Sequence, residues 1–258
     1  MAGGAAAGGE GAAGGGRSPF LFRRRLWIPR AAPLRRVAPV SKTVPAEFRG
    51  KRSLAKLYFS YSAMNAGKST LLLQASWNYR ERGMDTLLFV SSIDTRTRAG
   101  EIASRIGIRA EAETFGRQDD LFSLVKARSA GRNIACVFID EAQWMNEEQV
   151  WQLARVADEL RLPVMCYGLR TDFQAKLFPG SAALLAIADE LREVRTICWC
   201  GKKATMVVRL GPDGKPVEEG EQIFVGGNES YVSLCRKHWR ERTIAPPAGP
   251  GPGRGAAA

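Results

Sequence analysis

An apolar run, a short loop and a long helical segment follow one another without interruption between Ala55 and Gly83, and few architectures accept that order. The run AKLYFSY reads as a buried strand. The loop Ser62-Ala63-Met64-Asn65-Ala66-Gly67-Lys68-Ser69 ends in Gly-Lys-Ser. From Lys68 a helix fits up to the stop signal at Gly83. Backbone N–H groups converging between a strand and a helix make a phosphate-binding loop. In that context Lys68 reaches the β and γ phosphates of ATP, and the Ser69 hydroxyl is a ligand for Mg²⁺. Five residues before Gly67, where a glycine is usual, stands Ser62. Its small side chain suits the tight turn, at some cost if φ is positive there.

The pattern continues. TLLFVSS (86–92), IACVFID (134–140), PVMCYGL (163–169) and EVRTIC (193–198) read as further strands. Between them DDLFSLVKARSA, NEEQVWQLARVADEL and SAALLAIADEL read as helices, with Asn146 capping the second of these three. Alternation of this kind predicts an α/β fold of the P-loop NTPase (RecA-like) type, a mostly parallel sheet with helices on both faces. Ligands then bind beyond the carboxyl ends of the strands. Asp140 ends such a strand after four apolar residues, the place of a carboxylate that positions Mg²⁺. Glu141 follows, suited to be the general base on an attacking hydroxyl. The plainer alternative, an Asp-Glu pair closing a strand into a solvated turn, does not account for the loop upstream.

After Cys198 the texture changes. ATMVVRL, the turn GPDG and EQIFVGG read as a β-hairpin, followed by a glycine-rich loop and SLCRKHWRER. Cys198-x-Cys200 and Cys235-x-x-His238 offer three sulfurs and one nitrogen, a closed donor set for a structural Zn²⁺. Such a metal would contribute folding free energy to a module too small for its own core. Cys136 and Cys166 lie in apolar runs and read as core residues. The resulting division is a basic Gly/Ala/Arg-rich leader expected to be disordered (1–53), a phosphate-loop α/β domain (54–197), a zinc-binding module with its loop (198–241) and a Pro/Gly/Ala tail (242–258).

Net charge is +12, yet residues 1–50 alone hold nine basic and two acidic residues. A nucleic-acid partner therefore rests mostly on the leader, which reads either as an organelle-targeting peptide or as an extension on a cytoplasmic enzyme. No stretch approaches the roughly 18 apolar residues of a membrane span.

The strings AKLYFSYSAMNAGKST, SSIDTR, VFIDEAQW, CYGLRTDFQAKLF, TICWCGKKATM and VGGNESYVSLCRKH together resemble the type II thymidine kinases, bacterial members in particular, over about Ala55 to Arg240. Serine at position 62 is a variant of that family. The resemblance implies transfer of the ATP γ-phosphate to the 5′-hydroxyl of thymidine in deoxynucleotide salvage. Residues Ser62 to Ser69, Asp140, Glu141, Ala142 and Gln143 would bind ATP, with Glu141 as catalytic base. Asp94 and Arg96 would serve the phosphate-transfer site, where a guanidinium suits developing charge. Met64, Trp144, Leu169, Phe173, Phe178, Gly226 and Tyr231 would hold thymidine, with Gly226 and Gly227 allowing close backbone approach. The family also implies a homotetramer, feedback inhibition by thymidine triphosphate, and no need of a membrane or nucleic acid. Two rival readings, a helicase-like ATPase motor suggested by Asp-Glu-Ala-Gln and a zinc nucleic-acid-binding module with a basic arm, stand beside it.

Overall fold

The structure, a computed structural model, describes residues 55–96, 98–222 and 230–246. The leader expected at 1–53, Gly226 and Gly227, and most of the tail lie outside the described residues.

Six parallel strands form the central sheet: β1 (Leu57–Ser62), β2 (Asp85–Ser91), β5 (Glu113–Phe115), β6 (Ile134–Asp140), β7 (Val164–Leu169) and β8 (Glu190–Glu193), in the order β5-β2-β6-β7-β1-β8. A short antiparallel pair, β3 (Glu101–Ala103) with β4 (Arg109–Glu111), precedes β5. The helices are α1 (Lys68–Glu81), α2 (Leu121–Ser129), α3 (Glu147–Glu159), α4 (Pro179–Ile187) and α5 (Arg236–Arg240).

Alternate residues of the sheet feed two cores, as the two-residue period of a strand requires. Leu57 and Phe59 of β1, Leu87 and Phe89 of β2, and Val137 and Ile139 of β6 pack with Leu121 and Val125 of α2, Leu153 and Val156 of α3 and Leu184 of α4. On the other face Leu88 and Val90, Cys136 and Phe138, and Tyr167 pack with Leu72 and Leu73 of α1. Cys136 and Cys166 serve as apolar filling, and burial pushes the Cys136 thiol up to about 12. Asn146 caps α3 reciprocally with Gln149, and Asp120 caps α2.

One expectation needs correction. The last strand of the sheet is Glu-Leu-Arg-Glu at 190–193, not 193–198, because α4 ends at Ile187 and the chain then pairs with Tyr58 to Tyr61 of β1. Its charged residues suit an edge strand. Of the hairpin expected between 204–210 and 221–227 the turn is present, with the Val217 amide donating to the Arg209 carbonyl at 2.8 Å, while most of its second arm lies outside the described residues. Among the described residues β11 (Met206–Arg209) pairs antiparallel with β12 (Tyr231–Leu234), beyond the glycine-rich loop. The pair β9 (Thr196–Ile197) and β10 (Lys203–Ala204) flanks the turn that carries Cys198 and Cys200.

The β11–β12 ladder has two different faces. Val207 and Tyr231 turn toward Ala63, Met64 and Leu169, whereas Val208 and Leu234 pack with Cys198, Ala204 and Cys235. One thin ladder thus joins the cysteine module to the phosphate loop.

Candidate active site

The carboxyl ends of β1, β6 and β7 meet on one side of the sheet. There the loop after β1 turns back through Asn65 (φ 62°) and Gly67 (φ 84°) into α1. Positive φ thus falls on an asparagine and a glycine, residue types that accept it. Ser62 ends β1 outside that region, which removes the cost expected for it. The Ser62 hydroxyl donates to the Ala63 carbonyl at 2.6 Å. Lys68 Nζ donates to Ser62 Oγ at 3.1 Å and to the Ala63 carbonyl at 3.2 Å. Ser62 and Ala63 therefore lie behind the loop and hold its lysine, while Met64 to Ser69 line an open cavity.

Asp140 and Glu141 close the same cavity. Asp140 is buried, accepts from the Ser69 hydroxyl, and is pushed up to about 7 by burial and by the neighbouring Glu141 charge. Glu141 takes a left-handed conformation (φ 51°, ψ 40°) at the start of a 3₁₀ turn, Ala142–Trp144, which aims its carboxylate away from the strand. Burial works to raise its pKa, but Arg96, Lys68 and the Gln143 amide outweigh it and hold the group below the usual range. Burial draws the Lys68 pKa down against the pull of both carboxylates. One Glu141 oxygen accepts from Gln143 Nε2 at 2.5 Å and the other from Arg96. Arg96 in turn grips Asp94 with two bonds of 2.7 and 2.9 Å. Asp94, Arg96 and Glu141 form one chain of charge that keeps the catalytic candidate ionised at neutral pH.

A second cavity abuts the first. Met64, Trp144, Leu169, Phe173, Phe178 and Tyr231 all line it, with Gln143, Asp172, Val207 and Gln222 supplying further wall. Met64, Arg96, Glu141 and Leu169 border both cavities. Gln143 faces this apolar cavity rather than the phosphate loop, and Ala142 is fully buried behind them. Gln143 is the keystone of the seam: its Oε1 accepts from the Leu169 amide at 2.9 Å while its Nε2 holds Glu141. A Cβ at 168 would lie 2.9 Å from Gln143 Oε1 and 3.0 Å from the Gln143 amide nitrogen, so a larger residue there must push on Gln143.

Cys198, Cys200, Cys235 and His238 converge, with their donor atoms all within 4.8 Å of one another. His238 Nδ1 lies 3.3 Å from Cys198 Sγ and 3.6 Å from Cys235 Sγ, and Cys200 Sγ lies 4.0 Å from Cys235 Sγ. Thiolates about 2.3 Å from a tetrahedral zinc stand roughly 3.8 Å apart, so these donors fit that ion. The Trp199 ring stacks on the His238 imidazole at 4.1 Å and 12°, fixing its plane.

Comparison with known proteins agrees with this geometry. The family model for thymidine kinase matches residues 55–239. The chain belongs to the thymidine kinase family. A thymidine kinase of Ruegeria pomeroyi is 64% identical over 195 residues, 76% of this chain and 98% of the relative. One from Rhizobium meliloti is 64% identical over 191 residues, 73% and 98% of the two chains. The thymidine kinase of Salmonella paratyphi A is 55% identical over 188 residues, 73% and 92%.

Within this thymidine kinase fold, several further side chains that the sequence reading gave no role shape the site. Ser233 Oγ donates to the Met64 carbonyl at 2.6 Å, tying β12 to the phosphate loop. Trp239 Nε1 donates to the carbonyls of Phe173 (3.1 Å) and Val207 (3.0 Å), tying α5 to the apolar cavity. Asp172 accepts from the amides of Gln174 and Lys176 and from Gln222 Nε2. Alternation along β12 was the one signal present for Ser233; Trp239 depends on contacts distant in the chain, and Asp172 joins two local amides to the distant Gln222.

Proposed function

We propose that the chain transfers the γ-phosphate of ATP to the 5′-hydroxyl of thymidine, with Glu141 as the base. The observation that carries this reading is the position of Glu141 on the border between the phosphate-loop cavity and the apolar cavity. Thymidine occupies the apolar cavity, its base against Met64, Trp144, Leu169, Phe173, Phe178 and Tyr231. The triphosphate lies along Met64 to Ser69, where the loop amides and Lys68 face it. Glu141 takes the proton from the 5′-hydroxyl as that oxygen bonds to the γ-phosphorus. The bond from γ-phosphorus to the β–γ bridging oxygen breaks, and ADP leaves with the electron pair. Arg96, steered by Asp94, offsets charge on the transferred group.

Ser69 and Asp140 would hold Mg²⁺, which lessens the charge on the phosphate oxygens. Three thiolates and an imidazole make Zn²⁺ the occupant of the cysteine site, with a structural role. A cytoplasmic location accords with the bacterial relatives, and among the described residues no helix is long and apolar enough to cross a membrane. A homotetramer and inhibition by thymidine triphosphate belong to the same reading through the family resemblance.

The test is ATP-dependent phosphorylation of a panel of nucleosides by protein lacking residues 1–50. Turnover of thymidine is expected to survive the deletion. A salt-sensitive nucleic-acid affinity that accounts for the only activity, and that vanishes with the leader, would favour the rival binding module.

A further inference from the structure

Arg209 stands outside every motif, yet it touches several parts of the apolar cavity's frame. It ends β11 opposite Tyr231 of β12, so the two side chains share a face of the ladder. Its guanidinium carbon lies 4.0 Å from the centre of the Phe173 ring. It hydrogen-bonds the Tyr231 side chain, whose pKa burial raises against the lowering pull of the guanidinium. Nη1 donates to the Glu221 carbonyl at 2.9 Å and Nη2 to the Glu219 carbonyl at 3.4 Å. Between those carbonyls Gly220 runs at φ 137°, and a Cβ there would collide with Arg209 Nη2. The side chain is almost wholly buried.

We propose that Arg209 is a positioning residue for nucleoside binding: its planar fork fixes Tyr231, Phe173 and the 219–222 segment relative to one another. The proposal builds on the reading of the apolar cavity as the nucleoside site. Three independent elements of the wall converge on this one group. Phe173 comes from the stretch after β7, Tyr231 from β12, and Gln222 follows the segment whose carbonyls Arg209 holds. Gln222 is secured from the other side by Asp172. The cysteine cluster anchors the far side of the ladder, with Cys198 and Cys235 packed against Val208 and Leu234. Arg209 does the corresponding work on the near side. Arginine suits the task because it presents several donors in one plane and stacks on an aromatic face at the same time. Lysine retains the charge but offers neither the fork nor the stacking plane.

Arg209→Lys in the full chain, with zinc bound, tests the assignment. The KM for thymidine is expected to rise about tenfold or more, the scale of losing one charge-assisted hydrogen bond. The KM for ATP and the zinc content should stay within twofold of the wild type. Hydrogen exchange of the backbone amides at 217–222 should accelerate in the free protein. Gly220→Ala, which pushes on the same guanidinium from outside, should move thymidine KM in the same direction if Arg209→Lys folds poorly. A lowered melting temperature with unchanged thymidine KM and unchanged exchange would overturn the proposal, as would a lysine variant that matches the wild type. Failure of wild-type protein to phosphorylate thymidine would remove the assigned substrate instead. The exchange comparison would still decide whether Arg209 holds the segment.

Discussion

Gly180→Ala sets two effects of opposite sign against each other. Gly180 is the second residue of α4, and alanine is the better helix former by roughly 1 kcal/mol. Propensity alone therefore predicts a more stable protein. The packing around it predicts the reverse. A Cβ at 180 would lie 2.6 Å from the Ala142 carbonyl oxygen, 2.7 Å from that of Met145 and 3.1 Å from that of Gln143. All three are backbone atoms of the turn that follows Glu141, so no side chain can rotate away. Overpacking a well-filled core costs about 1–3 kcal/mol, and rigid neighbours place this site at the upper end. The net expectation is a loss of roughly 2 kcal/mol. For a domain of this size that lowers Tm by about 4–8 °C. The turn must move for α4 to remain docked, and with it Glu141 and Trp144, so kcat should fall while ATP binding persists. Calorimetry and steady-state kinetics on the same preparation give both readings. An unchanged or raised Tm with unchanged kcat would show that α4 does not fix the catalytic turn, and the reasoning would fail.

Three further outcomes are expected. Replacing Cys235 or His238 by alanine should abolish stoichiometric zinc by elemental analysis and raise thymidine KM; equal zinc in variant and wild type would refute the ligand set. Asp140, raised to about 7 from 3.8, favours the folded state when protonated, so its contribution to ligand-free stability is lost as pH rises through that window. Asp140→Asn should flatten the dependence of denaturation midpoint on pH between about 4 and 7, and a slope identical to the wild type would contradict the shift. Gly168→Ala should lower kcat by displacing the Gln143 amide that holds Glu141, an effect absent if hydrogen bonds at Gln143 are dispensable.

What was readable in the sequence is what is local in the chain. The phosphate loop, Asp140-Glu141 and the two metal hooks each occupy a few consecutive residues, and their chemistry follows from residue type and spacing. The four long buried strands were readable because apolar runs of that length have little alternative. Strand β8 was not, since Glu-Leu-Arg-Glu carries no alternation and is a strand only because β1 has a free edge beside it. The β11–β12 pairing was not readable because Gly-Pro-Asp-Gly signals only the local turn, which does form, while β12 lies past the glycine-rich loop. Arg209, Trp239 and Gly180 were invisible for the same reason. Each acts through partners distant in the chain, and a lone arginine, tryptophan or helical glycine has no sequence pattern that reveals such partners.

The central claim is that Glu141 removes the hydroxyl proton at the border of the two cavities. Its most direct test is the single-turnover rate of phosphoryl transfer to thymidine in Glu141→Gln, with ATP affinity measured alongside. A general base is worth about 10²–10⁴ in rate, so the account predicts a loss of that order with ATP affinity within a few-fold of the wild type. A transfer rate equal to that of the wild type would contradict it.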